Sequence, residues 1–103
     1  MGDSGLFALG VLALSVLLAS DVTRVIDGDT FKLDGEPSSI RLWGIDAPER
    51  GEAGFSEATL ALQLLVSDEK ISCEKLYRDK YRRIVARCTL EDGSDLGAKL
   101  IET

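Results

Sequence analysis

Val22-Thr-Arg-Val-Ile-Asp-Gly-Asp-Thr-Phe-Lys-Leu33 is the stretch that decides how this chain folds. Val22–Ile26 is rich in β-branched residues and reads as a strand. Asp27-Gly28-Asp29 is a turn signal, and Thr30–Leu33 a second short strand that Asp34, Gly35 and Pro37 bring to an end. Outward from it, Ile40-Arg-Leu-Trp43 alternates as a third strand, and residues 44–54, with Gly44, Gly51, Gly54 and Pro48, form a loop. Ala58–Val66 reads as a helix with Ser56 as its N-cap. Ile71–Leu76 and Ile84–Leu90 are two further strands joined by a charged loop. Glu91-Asp-Gly93 is a turn, and a second helix begins at Asp95 and runs to Glu102. The order β-β-β-α-β-β-α indicates an α+β domain. Specifically, it indicates a small five-stranded Greek-key barrel of the oligonucleotide-binding (OB) type, with one helix after strand 3 and the start of a second.

The chain has 103 residues, enough for one small domain. Its N-terminal part reads apart from the rest. Leu6–Ala19 is 14 mostly apolar residues, and 17 uncharged residues separate Asp3 from Asp21. The apolar core of a signal peptide is about 7–15 residues and a membrane span about 20, so the length favours a signal peptide. Against this, Asp3 stands where a cation is usual, and cleavage after Ala19 or Ser20 would put Leu17 or Leu18 where a small residue is preferred. A short uncleaved anchor is the other reading. The expectation is a leader or anchor over 1–20, with membrane attachment through residues 6–19. The domain over 21–103 would then be secreted, periplasmic or anchored facing outward.

Eighteen acids against 12 Lys and Arg give a net charge of −6, and there is no histidine. The absence of histidine excludes a Ser-His-Asp triad, a Cys-His pair, a His general base and His-ligated zinc. The acidity argues against a general nucleic-acid binder. Yet Lys75, Arg78, Lys80, Arg82, Arg83 and Arg87 crowd into 13 residues with Asp79 as the only acid, a local excess that could hold a phosphate or simply be a solvated hairpin. Three clusters could carry chemistry: Asp27-Gly-Asp-Thr30, Arg41-Leu-Trp-Gly-Ile-Asp-Ala-Pro-Glu49 and Asp79-Lys-Tyr-Arg-Arg83. Taken singly, each has a plain structural explanation as a turn, a solubilising loop or a strand start.

Together, in this order and spacing, they resemble the staphylococcal nuclease (thermonuclease-like) family, over about Val22 to Thr103. The resemblance implies a Ca²⁺-dependent nuclease that hydrolyses phosphodiester bonds of DNA or RNA. It implies Asp29, Asp46 and the backbone carbonyl of Ala47 as metal ligands. Glu49 would be the base acting on the attacking water, Arg41 and Arg83 the clamp on the phosphoryl oxygens, and Lys80 and Tyr81 contacts to a neighbouring phosphate or sugar. The chemistry is coherent. Arginine forks meet phosphoryl oxygens bidentately where lysine cannot, Ca²⁺ prefers oxygen ligands, and without histidine a carboxylate is the available base. A non-catalytic module holding nucleic acid or another polyanion on the same barrel is the alternative, and an inactive fragment a third reading.

The chain departs from the family pattern in three places. Arg82 stands where the family often has Gly, and Ala47 where it often has Thr. Family domains also continue beyond the equivalent of Thr103, from which the expectation is a weakly folded, poorly active 21–103 segment. Pairing Ile71 with Leu90 would set Cys73 opposite Cys88. The two then form either a disulfide, which suits export, or a pair of buried free thiols.

Overall fold

The computed structural model describes residues 16–102. The strands are β1 (Val16–Asp27), β2 (Thr30–Leu33), β3 (Ile40–Leu42), β4 (Lys70–Arg78) and β5 (Ile84–Thr89), with helices α1 (Phe55–Val66) and α2 (Leu96–Glu102). The strands close on themselves in the order β1-β2-β3-β5-β4. The molecule is therefore the α+β, OB-type barrel that the element order indicates, with α1 following the third strand.

Closure depends on β1, which is long enough to serve two partners. Its first part pairs antiparallel with β4 (Ser20 opposite Ile71, Asp21 opposite Lys70), and its second with β2 (Val22 opposite Leu33, Val25 opposite Phe31). Register shifts in both ladders bend the strand between its two neighbours. The strand begins at Val16, six residues before the β-branched run, and crosses the boundary placed at residue 20. The Leu/Ala-rich residues before that run do not alternate, so period gave no sign of it. Residues 1–15 lie outside the described residues, so most of the expected leader or anchor falls there. No helix among the described residues is long and apolar enough to cross a membrane.

The other closing contact is the parallel pair β3 and β5, with Ile40 opposite Ile84, Arg41 opposite Val85 and Leu42 opposite Ala86. Inward positions follow the two-residue period of strands. Phe31 and Leu33, Ile40 and Leu42, Ile71 and Cys73, and Ile84, Ala86 and Cys88 fill the barrel, and Leu62 and Val66 of α1 and Leu96 of α2 cap it. Leu62 and Val66 lie one helical turn apart, on the same face. On the solvent side, Leu60, Leu64 and Ile101 are exposed.

Cys73 and Cys88 stand opposite each other on β4 and β5 and are joined as a disulfide in the barrel wall. Helix α1 starts at Phe55, and its N-cap is Gly54 at φ 86°, with no side-chain cap bond. Ser56 thus lies inside the first turn and not at the cap. The reason is the turn that feeds the helix. Glu52 N–H bonds to the Glu49 carbonyl and Phe55 N–H to that of Glu52, so the loop itself occupies the entry.

Candidate active site

The turn between β1 and β2 places a buried carboxylate at the head of the barrel. Asp29 is 5% exposed. Its Oδ1 accepts the Thr30 hydroxyl at 2.9 Å, and its Oδ2 accepts the Ala47 N–H at 3.0 Å. The second bond ties the β1–β2 turn to the loop after β3. Gly28 permits this approach by lacking a side chain: a Cβ there would lie 2.7 Å from the Cβ atoms of both Ala47 and Ala58. The Asp27 side chain joins this cluster, its Oδ1 accepting the Asp29 N–H at 3.1 Å. Burial pushes the Asp27 carboxyl above its ordinary value, and the adjacent Asp29 carboxylate pushes it further in the same direction.

Arg41, on β3, joins this acidic head to a basic pocket. Its Nη1 donates to the carbonyls of Leu42 at 3.0 Å and Ile45 at 2.8 Å, which fixes the guanidinium in place. Its Nη2 faces Asp29 Oδ2 at 3.5 Å and Asp46 Oδ1 at 3.8 Å. Two carboxylates from separate loops therefore converge on one cationic nitrogen. The Asp46 side chain is fully exposed, while that of Asp29 is almost covered.

On the other side of Arg41 is a pocket of about 270 Å³, walled by Arg41, Trp43, Gly44, Tyr77, Asp79, Lys80, Tyr81, Arg83 and Val85. The β4–β5 hairpin delivers its basic residues, and Asp79 shapes the hairpin. The Asp79 carboxylate accepts the N–H groups of Tyr81 at 2.9 Å and Arg83 at 3.0 Å, and Arg83 Nε at 2.7 Å. Burial pushes the Asp79 carboxyl up, but these hydrogen bonds and the Arg83 charge outweigh it and hold the group below its ordinary value. Asp79 engages Arg83 through Nε and so leaves the two terminal nitrogens, the fork that suits a phosphate. Lys80 and Arg83 both lie over the Tyr81 ring, at 5.2 and 5.3 Å. Arg82, at the tip, has φ 69°, the left-handed backbone that explains why glycine is frequent at this position in the family pattern.

The residues singled out in the sequence thus fall into two adjoining groups. Arg41, Arg83, Lys80 and Tyr81 share the basic pocket. Asp46, Ala47 and Glu49 line a neighbouring cleft of about 620 Å³ with Pro48 and Glu52. Glu49 is exposed there and is not a wall of the arginine pocket. Its own N–H is held by Glu52 Oε1 at 2.6 Å, which sets the loop from which its carboxylate projects. Asp29 sits behind both groups and is connected to them through Ala47 and Arg41. Sequence reasoning missed Trp43 and Tyr77 as pocket walls. Their signal was faint: one sits two residues after Arg41 and the other two before Asp79.

Among the described residues, no cluster of three or more Asp, Glu or Cys side chains could hold a metal by itself. The donor set still suits a hard cation. Two aspartates already converge on the positive charge of Arg41, and the Ala47 backbone adjoins both.

Residues 39–103 match the staphylococcal nuclease homologue family. The chain belongs to that family. It is 28% identical, along its whole length and 63% of the relative's, to the succinoglycan biosynthesis protein ExoI of Rhizobium meliloti. An uncharacterized endonuclease of Escherichia coli is 30% identical over 78% of this chain and 54% of its own length. The protein ParB of Escherichia coli is 37% identical over 64% of this chain and 38% of its own. The chain thus spans between about two fifths and two thirds of the length of these relatives. Family membership and an endonuclease among its relatives agree with a nuclease-like function.

Proposed function

We propose that the chain is a Ca²⁺-dependent nuclease hydrolysing phosphodiester bonds of DNA or RNA. The observation that carries this reading is the place of Arg41, whose guanidinium faces Asp29 and Asp46 and also walls the pocket that holds Arg83. A phosphate bound by Arg41 would lie beside the carboxylates that suit a cation, an arrangement a plain polyanion binder does not need. Asp29, Asp46 and the Ala47 carbonyl would hold Ca²⁺. When bound, it polarises a phosphoryl oxygen and offsets developing charge.

The protein's own groups do the rest. Arg41 and Arg83 bind the phosphoryl oxygens and orient the phosphorus. Glu49, exposed in the adjoining cleft, takes a proton from the attacking water, which adds to phosphorus as the bond to the leaving oxygen breaks. Lys80 and Tyr81 hold the next phosphate or sugar. Clamps of this kind are often the largest catalytic contribution, with one lost donor costing about 10²–10³ in rate. The disulfide between Cys73 and Cys88 supports export to an oxidising compartment, with the domain secreted, periplasmic or anchored facing outward.

The test is cleavage of single-stranded DNA and RNA with Ca²⁺ and with chelator. Ca²⁺-dependent cleavage that Glu49→Gln abolishes is expected. Binding without cleavage under any metal condition would instead make the chain a polyanion-binding module.

A further inference from the structure

Arg41 and Arg83 must reach the same phosphate, yet they come from elements far apart in the chain. Arg41 stands inside the β3–β5 ladder, whose paired residues begin at Ile40 and Ile84. Arg83 lies one residue before that ladder, in the loop after β4, so strand pairing alone does not fix it. The end of the hairpin is fastened instead to the segment that leads into β3. Ile84 N–H donates to the Ser39 carbonyl at 2.8 Å. Arg78, the last residue of β4, adds two bonds from one nitrogen: its Nη1 donates to the Ser38 hydroxyl at 2.7 Å and to the Arg82 carbonyl at 3.1 Å. Ser38 is itself anchored. Its N–H is held by Glu36 Oε2 at 2.8 Å, and Lys32 Nζ donates to the neighbouring Pro37 carbonyl at 2.9 Å.

The Arg82 carbonyl is where such a bond matters. Arg82 has φ 69°, a backbone that residues bearing a Cβ adopt reluctantly. Its carbonyl belongs to the same planar peptide unit as the Arg83 N–H, so the two groups turn together. Asp79 Oδ1 accepts that N–H at 3.0 Å, and Arg78 holds the carbonyl at the other end. The peptide unit that leads into Arg83 is thus gripped from both sides. Rotation of this unit would break both bonds and swing Arg83 away from Arg41. Arg78 is exposed and does not wall the pocket, so it acts on the clamp through Arg82.

We propose that Arg78 is a positioning residue for the cleavage reaction, tying the Arg82–Arg83 peptide to Ser38 so that Arg83 meets the phosphate held by Arg41. The inference rests on the nuclease reading and adds a residue to its machinery. The role is bound to the side chain at position 82. Glycine takes left-handed backbone without strain, so a turn with glycine there has less need of the Arg78 bond.

The experiment measures kcat and KM of the full chain on a single-stranded DNA oligonucleotide with Ca²⁺, well below the melting temperature of each variant. Arg78→Ala should lower kcat roughly 10-fold through misplacement of Arg83, less than the about 10²–10³ expected when a clamp donor is lost outright. Arg78→Lys, which keeps a cationic donor, should recover part of the loss. Ser38→Ala, which removes no charge and lies 40 residues away, should lower kcat in the same direction. In an Arg82→Gly background, Arg78→Ala should cost less by a factor of at least about 2, the coupling expected of residues that share a bond. A direct contact between Arg78 and substrate phosphate predicts the opposite: equal losses in both backgrounds, and a salt dependence of binding shallower by about one ion. Parental kcat in Arg78→Ala, or equal losses with and without Arg82→Gly, overturns the positioning role and leaves the nuclease reading standing. Absence of Ca²⁺-dependent cleavage by the unsubstituted chain overturns both.

Discussion

Replacing Gly28 by alanine should damage the site without touching a single group that bears charge. The added methyl would sit 2.7 Å from the Cβ atoms of Ala47 and Ala58, and 3.2 Å from the Ala58 carbonyl carbon. Carbon atoms in comfortable contact lie about 3.5–4.0 Å apart, so both neighbours must retreat by about 1 Å. Neither obstacle is the end of a flexible side chain. One belongs to the loop after β3 and the other to α1, so backbone has to move. Overpacking of this kind costs about 1–3 kcal/mol, and the entropy removed from the unfolded chain returns only about 0.4–1 of it. For a domain of this size each kcal/mol corresponds to about 4–8 °C of melting temperature. Ala47 also donates the 3.0 Å bond that holds Asp29, so its retreat should slow cleavage and weaken Ca²⁺ binding. Thermal melts with cleavage rates on Gly28→Ala, Ala47→Gly and the double variant test this. Removing the Ala47 methyl should restore part of what the Gly28 methyl destroys, a coupling expected of residues in contact. A Gly28→Ala protein that melts with the parent and cleaves at the parental rate would refute the reasoning.

Four further outcomes are expected. Glu49→Gln and Arg83→Ala should each lower turnover by at least about 10²-fold with the fold retained, as judged by kinetics beside circular dichroism. Asp46→Asn should weaken Ca²⁺ binding in calorimetry with little change in metal-free stability, since its side chain is fully exposed, whereas Asp29→Asn should lower both; unchanged affinity in both would end the ligand assignment. The folded Asp79 carboxyl lies below its unfolded value of about 3.8, so its hold on the hairpin should be complete above that pH and fade as pH falls through the lower folded value; amide exchange at Tyr81 and Arg83 followed into acid should show protection lost only there. Thiol titration of the unfolded, unreduced protein should find none free, and reduction should cost roughly 3 kcal/mol for a bridge across 15 residues; two reactive thiols before reduction would contradict the bond.

The barrel was legible wherever one face of a strand is buried and the other is wet. Apolar residues stand at every second position as Phe31 and Leu33 of β2, Ile40 and Leu42 of β3, and Ile84, Ala86 and Cys88 of β5, although Thr30 and Val85 on the outer face are covered as well, and the strand ends fall close to the expected ones. It failed at the start of β1, where the residues before Val22 are apolar at successive positions and resemble a leader as much as a strand. It also failed at the entry to α1. Ser56 has the chemistry of a cap, but the turn through Glu49 and Glu52 starts the helix earlier, with Gly54 at the cap and the Phe55 N–H on the Glu52 carbonyl. Gly28 was read as a turn residue because it lies between two aspartates. Its structural work is to let two alanines approach, and no local pattern in the sequence encodes that.

The candidate site divides along the same line. The acids and cations were legible because each sits in a short ordered motif, and motif order survives in one dimension. What could not be read was their grouping. Arg41 lies beside Val85 only because β3 and β5 pair in parallel across an interval that contains α1 and β4. Tyr77 lies beside Val85 only because β4 folds back on β5 with a bulge between Lys75 and Tyr77. Without the bulge, the two-residue period would turn Tyr77 toward the other face of the sheet. The meeting of Trp43 and Tyr77 beside Arg41 and Arg83 is therefore a property of barrel closure and of one extra residue in a ladder. Neither is carried by the spacing of the residues that form it.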